Sequence, residues 1–290
     1  MTVHAHPDDE ASKGAPTLAR YHAEGVHTVL VCCTGGEEGD LQNPHLREEG
    51  QPFHGLPAEE ERSLVASMRP AELSASAEVI GFDEVIMLGY RDSGMPDTEH
   101  NEHQDAFVNV PFDEVLARLV EIVRREQPEI VLGYDDHERY PHPDHLRVHD
   151  LSLAVFEAAA DPAYGPDLGA PWEIVKLYAP TFTARRIKAL HDAVVARGLE
   201  SPFERWLEGL EGYTEDGKIV SRIDVTGYID RARLALRAHA TQVDPDGFWF
   251  QVPTPVVEAA YPYEDFELLA SRVDVTEPER SLFANIPGHH

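Results

Sequence analysis

Two short polar clusters, "HPDD" at residues 6–9 and "YPHPDH" at residues 140–145, concentrate imidazoles and carboxylates where few other side chains intervene. In the first, Pro7 restricts the backbone ahead of two adjacent aspartates whose side chains diverge. Such a pair divides naturally, with one carboxylate on a metal ion and the other free beside its water as a general base. In the second, Pro143 suits the first turn of a helix, and His142 and His145, three positions apart, project toward one crevice. Together the clusters offer His, Asp and His, the ligand count of a catalytic zinc that keeps its fourth position open. Asp8 would then take a proton from the water. His142 would stand opposite as acid or oxyanion partner, with Asp144 orienting its imidazole. Two histidines and one carboxylate also suit Fe2+, so Zn2+ is the expected ion and Fe2+ its rival.

Strands and helices must bring these clusters together. "VHTVLVCCT" is a β-branched apolar run, preceded by the helically spaced "GAPTLARYHAEG", and the alternation recurs. "PAELSASAEVIGF" reads as a helix, "EVIMLGY" as a strand, "FDEVLARLVEIVRREQP" as an amphipathic helix, "EIVLGYDD" as a strand and "HLRVHDLSLAVFEAAA" as a helix. This predicts an α/β fold, a Rossmann-like, mostly parallel sheet flanked by helices, over residues 1–169. Residues about 40–62 and 92–111 are polar and rich in turn formers, and read as long loops over the crevice. From about residue 170, "PWEIVKLYAPTF" is a strand and "ERWLEG" and "YIDRARLALRAHATQ" are helical. Residues 170–290 thus form a smaller C-terminal α+β subdomain that closes the substrate site.

Acids outnumber bases 53 to 24, and the net charge of −29 repels phosphate backbones and anionic membrane surfaces. Nucleic acid and membrane are therefore not expected partners, whereas a small-molecule substrate is. No apolar run approaches a membrane span and no leader is visible, so a cytoplasmic location is expected; a homo-oligomer is left open. Cys32 and Cys33 are adjacent in a strand and read as small buried hydrophobes on opposite faces. "TGGEEGD" carries acids where a pyrophosphate would lie, and Ser12 and Ser93 lack a nucleophile elbow. Of the sixteen histidines, His45, His54, His100, His103 and His137 read as surface residues. His149 reads as helix packing, and His4 and Glu10 as supporting parts.

"AHPDDE" with "HPDH" resembles the LmbE-like, or PIG-L, superfamily of zinc-dependent de-N-acetylases and amidases. The similarity runs on through "DDEASKGA", "LGYRDSGMP" and "LRAHATQVDPDGFWF", toward the branch of mycothiol S-conjugate amidases. The resemblance implies a metal on His6, Asp9 and His145, with Asp8 as general base. It makes His142 the transition-state histidine, Asp144 its orienting carboxylate and Tyr140 a mobile tyrosine at the substrate carbonyl. It gives Arg69 and Asp92 to the sugar, and Lys13 to the amidase side of the family. The implied reaction is hydrolysis of the glucosamine–cysteine amide of mycothiol S-conjugates. Its alternatives are deacetylation of N-acetylglucosaminyl-inositol and an amide hydrolysis in secondary metabolism; a metal-binding module without turnover is the rival from another class.

Overall fold

The computed structural model describes residues 1–136, 140–209 and 219–289; His137 lies outside them. Seven strands build one sheet: β1 (Thr2–His4), β2 (Val29–Thr34), β3 (Glu84–Tyr90), β4 (Ile130–Leu132), β5 (Lys176–Thr181), β6 (Ile219–Asp224) and β7 (Tyr263–Ser271). Their order is β3-β2-β1-β4-β5-β7-β6. The first five run parallel, and β7 and β6 close the far edge antiparallel. The mostly parallel α/β architecture expected from the alternating pattern is therefore present.

β2 explains why the parallel strands read as unbroken apolar runs. Val29, Val31 and Cys33 face one core while Leu30 and Cys32 face another, so both sides of the strand are buried. On the first side, helix α4 (Phe112–Glu126) contributes Leu119 and Val123, and α5 (Pro143–Ala158) contributes Val148, Leu151 and Val155. On the other, α2 (Ala15–Ala23) and α8 (Ile229–Ala238) pack Leu18, Ala235 and Leu236 against Leu132, Tyr178 and Phe266. No helix of the described residues is long and apolar enough to cross a membrane.

Two expectations change. Helix α3 spans Ala58–Ile80, so it begins inside the stretch read as a loop and carries Pro70 in its interior, not at its first turn. Glu59, Glu60 and Glu61 supply the acidic first turn, and a face with Val65, Leu73, Ala77 and Ile80 buried offsets the roughly 3 kcal/mol an interior proline costs. The expected division at residues 169 and 170 is crossed by the sheet itself, because β5 pairs in parallel with β4 from Ile130↔Lys176 to Leu132↔Tyr178. A buried polar network ties the tail to that strand. Lys176 Nζ donates to Glu279 Oε1 (2.5 Å) and to the Ala284 carbonyl (2.6 Å), while Tyr178 and Ser221 hydroxyls donate to Glu279 Oε2 (2.5 and 2.6 Å).

Candidate metal centre

From β1 the sheet proceeds through β2 to β3 on one side and through β4 to β5 on the other, so the strand order reverses between β1 and β4. A crevice opens outside the carboxyl ends of the two strands at such a point. Residues 6–9 leave β1 there and residues 142–145 open α5 after β4, so clusters 139 residues apart meet. The Tyr134 hydroxyl fastens the junction through the Ala5 amide (3.0 Å) and His4 Nδ1 (3.1 Å). His4 is accordingly buried in the sheet as a supporting part.

His6 Nδ1, Asp9 Oδ2 and His145 Nε2 form a triangle with sides of 3.4, 3.2 and 3.3 Å. Ligand atoms on a tetrahedral ion with bonds of about 2.0–2.1 Å stand about 3.3–3.4 Å apart, so these three atoms have the spacing of one face of such a site. Burial draws His145 down to about 3, leaving it neutral as a ligand must be. Burial opposes charge on His6 too, yet the Asp92 charge and hydrogen bonds donated to Asp144 and Asp9 hold its pKa well above the ordinary value. Asp9, Asp92 and Asp144 thus surround His6 with carboxylates, a setting that favours a cation. A second group of possible ligands, Asp92, His142 and Asp144, gathers round the other nitrogen of His6, with Asp92 Oδ1 at 3.4 Å and Asp144 Oδ2 at 3.1 Å from Nε2. Two of its carboxylates are already hydrogen-bonded, to Gly94 N–H (2.8 Å) and Ser93 N–H (3.0 Å).

Asp144 differs from its expected role. Its carboxylate receives the other nitrogen of His6, Nε2, at 3.1 Å, and so orients a metal-ligand candidate instead of His142. His142 is oriented by the Asp144 backbone, whose N–H donates to His142 Nδ1 at 3.2 Å while capping α5. A neutral His142 therefore carries its proton on Nε2. It is neutral near pH 7, since burial and the His6 charge bring its pKa to about 4.

Asp8 sits in the left-handed region at φ 103°, a conformation rare for a residue with a side chain and costing on the order of 1–3 kcal/mol. Three contacts hold it. Its N–H donates to Glu10 Oε2 (2.9 Å), Arg69 Nη2 lies 3.2 Å from its Oδ2, and the same guanidinium donates to the Pro7 carbonyl. Burial raises the Asp8 pKa against the Arg69 charge. Arg69 was expected to hold a sugar, but its side chain is 3% exposed and lies under this turn, with Nη1 on the Gly36 carbonyl at 2.5 Å. The glycines of "TGGEEGD" make room for it: a Cβ at Gly36 or Gly39 would overlap the guanidinium. Gly39→Ala is accordingly expected to lower kcat/KM on the order of 10²-fold by shifting Arg69 and Asp8, with little change in Tm. Unchanged kinetics would detach this arginine from Asp8.

Lys13 and Asp92 also occupy places other than free substrate contacts. Lys13 Nζ is 2.6 Å from Asp9 Oδ1, and buried Asp92 lies 3.4 Å from His6 Nε2. Tyr140 is half exposed, its hydroxyl donating to the thioether sulfur Sδ of Met95 at 3.6 Å. Even so, His6, Asp8, Asp9, Lys13, Arg69, Asp92, Tyr140, His142 and His145 all line one cleft, and of the expected site residues only Asp144 stands behind it.

Sequence reasoning passed over His239. This residue follows α8, and its Nε2 is 2.6 Å from Glu10 Oε1, which Ser76 Oγ also reaches at 2.5 Å. Through Glu10 it braces the Asp8 amide. A histidine just beyond an amphipathic helix was the available signal. Glu10 and the Asp8 and Glu72 charges raise the His239 pKa above 6.5 despite burial, and the His239 charge lowers the Glu10 pKa below 4.5 despite burial. The histidine's contribution is present below pH 6.5 and lost as pH rises through its raised value. That of the glutamate is present above pH 4.5 and lost as pH falls through its lowered value. The Tm advantage of the wild type over His239→Gln should therefore be greatest between pH 4.5 and 6.5 and shrink above it. A pH-independent difference would remove the ion pair as its cause.

A protein-family model described as PIG-L: GlcNAc-PI de-N-acetylase matches residues 1–156. The chain is 36% identical over 292 residues to a mycothiol S-conjugate amidase of Streptomyces coelicolor, covering 99% of this chain and 96% of that protein. It is also 36% identical over 295 residues to a 1D-myo-inositol 2-acetamido-2-deoxy-alpha-D-glucopyranoside deacetylase of Geodermatophilus obscurus, covering 99% and 98%. Among solved structures, N,N'-diacetylchitobiose deacetylase from Pyrococcus horikoshii superposes with a TM-score of 0.59 at 20% identity, covering 92% of this chain and 82% of that one. GalB, a 4-carboxy-2-hydroxymuconate hydratase from Pseudomonas putida, gives 0.60 at 19% identity, covering 95% and 97%. A deacetylase and a hydratase thus share this architecture, and the structural likeness speaks for the fold alone.

Proposed function

The chain belongs to the PIG-L, GlcNAc-PI de-N-acetylase, family of hydrolytic de-N-acetylases and amidases, and from that premise we propose that it hydrolyses the glucosamine–cysteine amide of mycothiol S-conjugates. The observation that carries the reading is the His6, Asp9 and His145 triangle with Asp8 beside it in an open cleft. Zn2+ is the proposed ion, with Fe2+ as its rival. When bound, it supplies Lewis-acid polarisation of the amide carbonyl and a lowered pKa for water.

The chain's own residues do the rest. Asp8, held at a fixed angle by Arg69 and Glu10, accepts the proton of the attacking water on its carboxylate and later returns it to the departing amine. His142 presents Nε2–H to the carbonyl oxygen as negative charge develops there, its Nδ1 being engaged by the Asp144 amide. Tyr140 adds a hydroxyl donor from the exposed rim of the cleft. Glu38, Asp40, Gln42 and Gln242 line another part of it and offer acceptors and donors to sugar and inositol hydroxyls. Asp92 and Lys13 support the reaction by holding His6 and Asp9, and Arg69 by holding Asp8.

Deacetylation of N-acetylglucosaminyl-inositol is the second reading, favoured by several relatives of that description at 34–36% identity. Metal-loaded protein assayed side by side on a bimane mycothiol conjugate and on the acetyl sugar separates the two. The conjugate is expected to be the better substrate by at least about tenfold in kcat/KM. Preference for the acetyl sugar would overturn the amidase assignment, and metal analysis of the active protein tests the ion.

A further inference from the structure

A second cavity adjoins the metal cleft, and Ser12, Leu236 and Trp249 line both. Its walls are of another kind. Phe182, Phe203, Trp206, Phe248 and Trp249 surround it, contributed by the turn after β5, by α7 (Glu204–Glu208) and its approach, and by α9 (Phe248–Gln251). Trp206 and Phe248 stack at 5.0 Å and 4°, Phe182 meets Trp249 at 5.9 Å, and Phe203 meets Phe248 edge-on at 5.2 Å. Trp206 nevertheless leaves 41% of its surface exposed. Clustered aromatic walls next to a small number of polar groups are the usual lining of a ligand pocket. They suit flat or branched apolar groups whose rings can be offset or edge-on.

The two cavities divide a substrate by polarity. The cleft residues Glu38, Asp40, Gln42 and Gln242 suit hydroxyls, and the cleft meets the aromatic chamber at Ser12, Leu236 and Trp249. We propose that this chamber holds an aryl or branched alkyl substituent carried on the acyl half of the amide, several bonds from the scissile carbonyl. The assignment of that substituent to the acyl half rests on the amide-hydrolase reading above. Specificity then comes from the C-terminal part of the chain, through Phe182, Trp206 and Trp249, while the metal-side residues are indifferent to it.

The test is calorimetric titration of the metal-loaded protein with N-acetyl-S-benzylcysteine and with N-acetylcysteine, alongside Trp206→Ala and Ala232→Phe. The first variant removes a wall and the second, on α8, fills the chamber from another side. Melting curves establish that each variant is folded. The benzyl compound is expected to bind at least about tenfold more tightly than N-acetylcysteine, and each variant to reduce that advantage at least about tenfold. The kcat/KM ratio of benzyl-conjugate to acetyl substrate should fall in parallel. Equal affinity for the two ligands, or an advantage unchanged in both folded variants, would overturn the chamber's role. Turnover of the acetyl sugar without any benzyl preference would strike the chamber alone. A benzyl preference that the variants abolish, with no amide turned over, would support the chamber and strike the hydrolase reading alone.

Discussion

Asp8→Asn lowers kcat/KM by about 10²–10⁴-fold while the protein still takes up one equivalent of metal. The size follows from what is lost: asparagine keeps the shape of the side chain but cannot accept a proton. Metal uptake survives because the triangle of His6, Asp9 and His145 does not include the Asp8 carboxylate. The strained turn should persist too, since the Asp8 amide rests on Glu10 and Arg69 also holds the Pro7 carbonyl. Metal analysis and steady-state kinetics on the same preparation decide the matter. Activity within about tenfold of wild type would remove Asp8 as the base, and a loss that tracks missing metal would make it a ligand.

Lys176→Met destabilises the protein by about 3–5 kcal/mol, a fall in Tm on the order of 10 °C. Methionine fills much of the lysine's volume, so the effect is chiefly electrostatic: Glu279 would remain buried and charged without its partner. Tyr178 and Ser221 would still donate to it, which is why the loss is finite. Adding Glu279→Gln removes the stranded charge, and the double variant should lose clearly less than the sum of the two single ones. Calorimetric melting of the four proteins measures the coupling. A single-variant loss under about 1 kcal/mol would mean that the tail is held by Leu282 and Ile286 in the apolar core, not by the pair.

What could be read early and what could not follows from distance along the chain. His6, Asp9, His142 and His145 declare themselves because their spacing is local and each cluster follows a recognisable strand. The alternation implied a mostly parallel sheet but not the strand order that puts the switch point between β1 and β4. Pairings across the molecule left no such trace. Arg69 was given to the sugar, and its place under the Asp8 turn shows only when Gly36 and Gly39 are seen to make room for it. Glu10 with His239, and Lys176 with Glu279, join residues 229 and 103 positions apart. Asp144 was read by proximity to His142, but the first turn of α5 sends its carboxylate to His6 and leaves only its amide to the neighbour. The start of α3 was missed because Pro70 resembles a first-turn proline, whereas burial of one face carries the helix through it.

The 139 positions between His6 and His145 also order events in time. During synthesis at about 5–20 residues per second, the first two candidate ligands wait about 7–28 s before the third is made. β1 has its parallel neighbour β2 soon after it is made, but β4 arrives only with residues 130–132. A nascent chain shorter than this lacks the third candidate ligand, and a chain lacking residue 239 is without the buried imidazole that joins Ser76 in holding Glu10 and hence the Asp8 turn. The candidate ligand set is therefore complete once half of the polypeptide is made, and the fully braced Asp8 turn only once residue 239 has joined it.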